Sequence, residues 1–126
     1  MTPEEFAEKL KKIQKMKCES QTLELKSAKR GCPKRLYDTI SGFSNQDDGG
    51  VIIFGIDEEN NYEESGVYDA QDIQKKINAQ CLQMEPVVRP VFTVLEKNEK
   101  YFVAAEIPGM DLSDRPCYYR GQRDRL

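Results

Sequence analysis

Any chemistry in this chain must come from carboxylates, amines, phenols and thiols, because its 126 residues include no histidine. That excludes a Ser-His-Asp triad, a histidine general base and a histidine-ligated metal. Three acids stand out by position. Glu19 precedes Glu24-Leu25-Lys26, and Asp57 ends the apolar run Val51-Ile52-Ile53-Phe54-Gly55-Ile56. If the strand carrying Glu24 lies beside that run, these carboxylates are drawn toward one end of a sheet. Clustered carboxylates coordinate Mg²⁺ or Mn²⁺, which organises attack on a phosphodiester. Lys26 is placed to offset charge in the transition state. In a chain with 22 acids, the same residues read equally as solvent-facing strand positions paired with lysine.

Two further groups suit phosphate. Lys26, Lys29, Arg30, Lys34 and Arg35 surround Gly31-Cys32-Pro33, where the sequence predicts the start of a helix. Proline suits the first helical turn, so the helix amides would lie beside Lys29 and Arg30 and add their dipole to the side-chain charge. Near the end, Arg115, Tyr118, Tyr119, Arg120, Arg123 and Arg125 mix aromatics with arginine, which suits base stacking and phosphate contact. The alternatives are a solvated loop and an edge strand with a frayed tail. A third segment, Ser44-Asn45-Gln46-Asp47-Asp48-Gly49-Gly50, reads as a tight turn in which Asn45 caps a helix or presents its amide to a ligand. It is not a P-loop, because it lacks GK[ST] and runs from helix to strand.

Positioning these groups falls to a short series of elements. Thr2-Pro3-Glu4-Glu5 carries a capping box, and Phe6, Leu10 and Ile13 mark the apolar stripe of a helix ending near Met16. Thr22–Lys26 alternates as a half-buried strand. Leu36, Ile40 and Phe43 mark a second helix. Val51–Ile56 reads as a central strand covered on both faces. A short strand around Ser65–Val67 follows an acidic turn. A third helix opens at Asp69 or Ala70 and buries Ile73, Ile77 and Cys81. Pro86–Pro90 is a linker, Val91–Leu95 and Tyr101–Ile107 form a hairpin around a polar loop, and Arg115–Arg120 reads as a final edge strand, where proline is tolerated. This order gives an α+β sandwich, with about three helices covering a mixed sheet of about five to six strands.

Composition narrows the classes. The chain is the size of one domain spanning residues 1–126. No apolar run approaches the ~18 residues of a membrane span, and no secretory signal opens the chain. Four cysteines without CxxC spacing read as free thiols in a reducing cytoplasm, not as a zinc ribbon. The net charge of −3 averages unlike regions. Residues 1–35 carry ten Lys/Arg against five Asp/Glu, whereas residues 45–85 carry two against ten. An acidic chain is a poor general ligand for nucleic acid, but a local basic face binds phosphate.

Taken in order, several blocks form a pattern: Glu19-Ser20-Gln21-Thr22-Leu23-Glu24-Leu25-Lys26, Ile40-Ser41-Gly42-Phe43-Ser44-Asn45, Gly49–Asp57, Gly66-Val67 and Arg115-Pro116-Cys117-Tyr118-Tyr119-Arg120. Over about residues 15–121 the chain resembles the Schlafen-type AlbA-like domain, the DNA-binding domain of bacterial helicase-related proteins and transcriptional regulators. The resemblance implies an α/β domain that binds nucleic acid and often precedes a winged-helix region. The family usually continues with a further strand, so this chain reads as stopping short of a C-terminal region. Eukaryotic Schlafen proteins use a similar domain to cleave RNA with two Glu and one Asp on a metal. Carried over, that trio is Glu19, Glu24 and Asp57.

Three functions are therefore expected. The first is nucleic-acid binding, to DNA or RNA, through Lys26, Lys29, Arg30, Lys34, Arg35, Asn45, Arg115, Tyr119 and Arg120. The second is a Mg²⁺- or Mn²⁺-dependent endoribonuclease using Glu19, Glu24 and Asp57 with Lys26. The third is an interaction module in which the Arg115–Arg120 edge pairs with a partner or forms a homodimer.

Overall fold

A computed structural model describes residues 1–123, with side chains through Gly121; Arg125 lies outside the described residues, as does the side chain of Arg123. In chain order the elements are α1 (Pro3–Met16), β1 (Leu23–Lys26), α2 (Tyr37–Ser44), β2 (Gly50–Phe54), β3 (Ile56–Asp57), β4 (Glu63–Glu64) and α3 (Ala70–Leu82). Then come β5 (Met84–Glu85), β6 (Val91–Lys97), β7 (Lys100–Ile107), β8 (Tyr118–Tyr119) and the single turn α4 (Arg120–Arg123). Among the described residues no helix is long and apolar enough to cross a membrane.

The main sheet has the order β1-β2-β7-β6. β1 runs parallel to β2, with Leu23 opposite Val51 and Lys26 opposite Phe54, while the other pairs are antiparallel. A parallel pair needs a crossover, and α2 with its entering loop supplies it. The remaining strands form two small pairs, β3 with β4 and β5 with β8. The sheet is thus mixed, as expected, but its main body holds four strands. The Arg115–Arg120 segment contributes only a two-residue strand, which pairs with Met84–Glu85 and not with the main sheet.

Strand alternation sends side chains to two cores. Phe6, Leu10 and Ile13 of α1 pack with Leu25, Ile53, Phe102 and Ala104 on one face. On the other, Leu36, Ile40, Phe43, Ile73, Ile77 and Cys81 pack with Ile52, Phe54, Val103, Ala105 and Ile107. β2 and β7 are therefore apolar on both sides, which is why Val51–Ile56 reads as an unbroken apolar run. Truncating Phe54 or Phe102, both fully buried, to alanine costs about 3–5 kcal/mol.

Caps and turns close the elements. Thr2 and Glu5 form the reciprocal capping box of α1, and the Asp69 carboxylate accepts from the Asp72 amide at the start of α3. The β6–β7 connection is tighter than the expected loop, because Asn98 and Glu99 both adopt positive φ and make a two-residue turn. The short strand expected near Ser65–Val67 lies earlier, at Glu63–Glu64. The Gly49-Gly50 turn works by close approach. Gly49 has φ +64°, and a Cβ on Gly50 would lie 2.4 Å from the Phe43 ring.

The largest departure concerns α2. It begins at Tyr37, with Leu36 as its cap residue, so Pro33 sits in the connecting loop and does not open the helix. Residue Arg35 adopts φ +63°, which interrupts helical geometry before Leu36. The Leu36, Ile40 and Phe43 stripe is nevertheless buried as expected.

Candidate nucleic-acid interface

The loop from Ser27 to Arg35 runs between the end of β1 and the start of α2, and it is fixed from behind. The Ala28 carbonyl accepts from the Tyr68 amide at 3.0 Å, and Ala28 itself is buried. Gln80 of α3 closes the other end. Its Nε2 donates to the Pro33 carbonyl at 2.9 Å and its Oε1 accepts from the Leu36 amide at 2.7 Å. Beneath the loop, the Tyr68 hydroxyl donates to Asp72, which also pairs with Lys76 at 2.9 Å. Those two bonds hold the Asp72 carboxyl below its ordinary value, and burial together with Asp72 pushes the Tyr68 phenol up. Burial likewise raises the Cys32 thiol.

The helix start expected beside Lys29 and Arg30 lies later, at Tyr37. Gln80 takes the Leu36 amide, α2 has no side-chain cap, and Asp38 places a carboxylate in its first turn. The loop before it carries side-chain charge. Arg30, Lys34 and Arg35 are exposed, and among the described residues they make no ion pair. Lys29 is exposed but lies 3.8 Å from Glu63, and Lys26 lies 3.5 Å from Glu24.

The C-terminal segment packs against the same helix. The Tyr37 and Tyr119 rings stack with centroids 3.7 Å apart and planes 10° from parallel. Burial, and then Tyr119, raise the Tyr37 phenol, while the charge of Arg35 pulls it down. Arg120 remains exposed and donates from Nη2 to the Leu82 carbonyl at 3.1 Å. Tyr119 also packs against Gly121, where a Cβ would lie 2.4 Å from its ring.

Two residues expected to touch a ligand are occupied within the chain. The Asn45 amide donates to the Cys117 carbonyl at 3.0 Å and accepts from the Cys117 amide at 2.8 Å. It thereby fastens the end of the chain to α2. Arg115 pairs with Asp47 at 2.9 Å and donates from Nε to the Met110 carbonyl at 2.9 Å. Both residues position the C-terminal segment.

Acids also flank Lys26, with Glu24 3.5 Å from it. Glu19 turns back on its own strand, and its Oε2 accepts from the Leu25 amide at 2.7 Å. Burial, and then the charge of Glu19, push the Glu24 carboxyl above its ordinary value, against the pull of Lys26. Glu58 is raised by burial and by the charges of Glu19 and Glu24. Glu58, itself exposed, is the third acid coupled to this pair by charge. Asp57 is the β3 residue opposite Glu63 in the small hairpin. Among the described residues no group of three or more carboxylates or thiols is arranged to hold a metal ion.

Gln80 was not visible as a functional residue in the sequence, since a polar residue beside buried Cys81 carries no distinguishing pattern. Glu58 was signalled only by the run Asp57-Glu58-Glu59. Asp47 became meaningful once Arg115 was seen beside it.

Comparison with known proteins places the fold. A family model described as Schlafen, AlbA_2 matches residues 19–124. The NMR structure of the N-terminal domain of an ATP-dependent DNA helicase RecG-related protein from Nitrosomonas europaea superposes with TM-score 0.73 at 22% identity, covering 88% of this chain and 77% of that one. A crystal structure of a Corynebacterium diphtheriae protein superposes with TM-score 0.51 at 15% identity, covering 80% of this chain and 20% of that one. No curated protein sequence is similar to the chain.

Proposed function

The chain belongs to the Schlafen AlbA_2 family, and from that premise we propose that it binds nucleic acid through the loop carrying Arg30, Lys34 and Arg35, together with the exposed Arg120. The role is that of a DNA-binding domain in a helicase-related or regulatory protein, of the kind the Nitrosomonas europaea relative's name describes. One observation carries the reading: three exposed cations with no ion pair among the described residues stand on a loop that Gln80 holds at two points. Long cations on a fixed backbone place charge at a phosphate with little ordering cost, and such contacts supply most non-specific affinity. The stacked Tyr37–Tyr119 pair, at the start of the helix that this loop enters, adds an aromatic surface.

The test is binding of a labelled DNA duplex, a single strand and an RNA hairpin over a salt series. Affinity should fall steeply with salt for at least one of them, because each phosphate contact releases a counterion. Salt-independent binding, or none at low salt, would refute the proposal.

A further inference from the structure

The basic run from Lys26 to Arg35 is continuous in sequence, yet the structure divides it. Its first two lysines are engaged by the chain's own carboxylates, Lys26 by Glu24 at 3.5 Å and Lys29 by Glu63 at 3.8 Å. The remaining three cations make no ion pair among the described residues. A carboxylate paired with a lysine occupies the position that a phosphate oxygen would take. The two cannot both hold the same ammonium closely without placing two anions side by side.

The Glu63 carboxylate is carried on an anchored element. Its neighbour Glu64 pairs with Lys97 at 2.9 Å, β4 pairs with β3, and the Gly66 amide donates to the Gly55 carbonyl at 3.0 Å. Gly55 allows this return because it adopts φ +118°, and a Cβ there would lie 2.6 Å from the Phe102 ring. Glu24 is held equally well by its strand register opposite Ile52. Both acids are thus built into the sheet and hairpin beside the loop.

We propose that Glu24 and Glu63 are specificity-determining residues that compete with phosphate for Lys26 and Lys29, so that the β3–β4 hairpin forms an electrostatic edge and confines nucleic acid to the Arg30–Arg35 side. This rests on the nucleic-acid reading above. It predicts that the wild-type protein makes fewer phosphate contacts than its five loop cations would allow.

The test compares wild type, the double variant Glu24→Gln/Glu63→Gln and a charge-matched control, Glu59→Gln/Glu99→Gln, on the same duplex over a salt series. Circular dichroism confirms that each is folded. Two freed lysines should steepen the slope of log K against log salt by about 1.8, or about 1.4 for a single strand. Between 50 and 200 mM salt that slope amounts to roughly a 12-fold greater loss of affinity than wild type shows. The control should raise affinity slightly without steepening the slope. Binding by wild type with the same slope in all three proteins would overturn this inference alone. Binding by the double variant when wild type is silent would support it. Absence of binding by both would overturn the nucleic-acid reading, and this inference with it.

Discussion

The acid corner at Glu19, Glu24 and Glu58 meets the basic run at Lys26, yet its side chains and those of the Arg30–Arg35 loop are used in opposite ways. In the corner two of the charges are spent on the chain: Glu19 holds a backbone amide of β1 and Glu24 holds Lys26, while burial and then crowding of like charges raise Glu24 and the exposed Glu58. In the loop the charges are directed outward, and the holding is done by an uncharged residue from another element, Gln80. A cluster whose charges are spent on the chain itself supports the fold. One whose charges are left over, on a backbone fixed by other groups, is equipped to bind.

The sharpest way to break this contrast is to remove the outward charges. Replacing Arg30, Lys34 and Arg35 together by alanine should lower the salt slope of nucleic-acid binding by about 3 and leave the melting temperature nearly unchanged, because exposed unpaired cations contribute little stability. An unchanged slope would move the interface elsewhere.

Removing an inward charge should do the reverse. Glu19→Ala leaves the part-buried Leu25 amide without its acceptor and should cost about 1–3 kcal/mol in chemical denaturation, whereas Glu19→Gln, which keeps an acceptor oxygen, should cost less. Equal losses in the two variants would mean that this hydrogen bond does not support the strand. Gln80→Ala should act on the loop, removing two hydrogen bonds worth about 0.5–1.5 kcal/mol each. Amide exchange at Leu36 should quicken, and nucleic-acid affinity should fall through loss of order with all cations retained. Unaltered exchange would show that the loop is held by other contacts.

The smallest effect concerns pH. Glu24 and Glu58 have carboxyls raised in the folded protein, so the native state takes up protons before the unfolded chain does. Their contribution is fully present below the unfolded carboxylate range and is lost as pH rises through the raised folded values. Glu5 and Asp72, which are lowered, work in the opposite direction and lose their contribution as pH falls. The clean measurement is therefore a difference. The melting temperature of Glu24→Gln relative to wild type should be most favourable near neutral pH and should shrink toward acid. A difference independent of pH would show that Glu24 is not raised.

Much of the fold was legible along the chain. The capping box at Thr2 and Glu5, the Leu36-Ile40-Phe43 stripe and the apolar Val51–Ile56 run are local patterns; α1 formed where its periodicity placed it, whereas α2 starts later, at Tyr37, and the Val51–Ile56 run divides at Gly55 into β2 and β3. The family resemblance was carried by the same short blocks and agrees with the matched span. The elements that shifted were those decided by partners. The Arg115–Arg120 segment joined Met84–Glu85 because Asn45 holds Cys117 against α2.

The candidate site divides in the same way. Residue type and order determined that a basic segment follows β1 and that acids flank it, since charge is a property of composition. Only the tertiary structure decided which charges are free. Whether a lysine finds a carboxylate depends on strand register and on where a hairpin returns, and neither is encoded within a few residues of that lysine. Lys29 meets Glu63 across 34 positions, and Leu36 meets Gln80 across 44. The sequence supplied the charges of this surface, and long-range packing sorted them into those that hold the chain together and those that remain to bind.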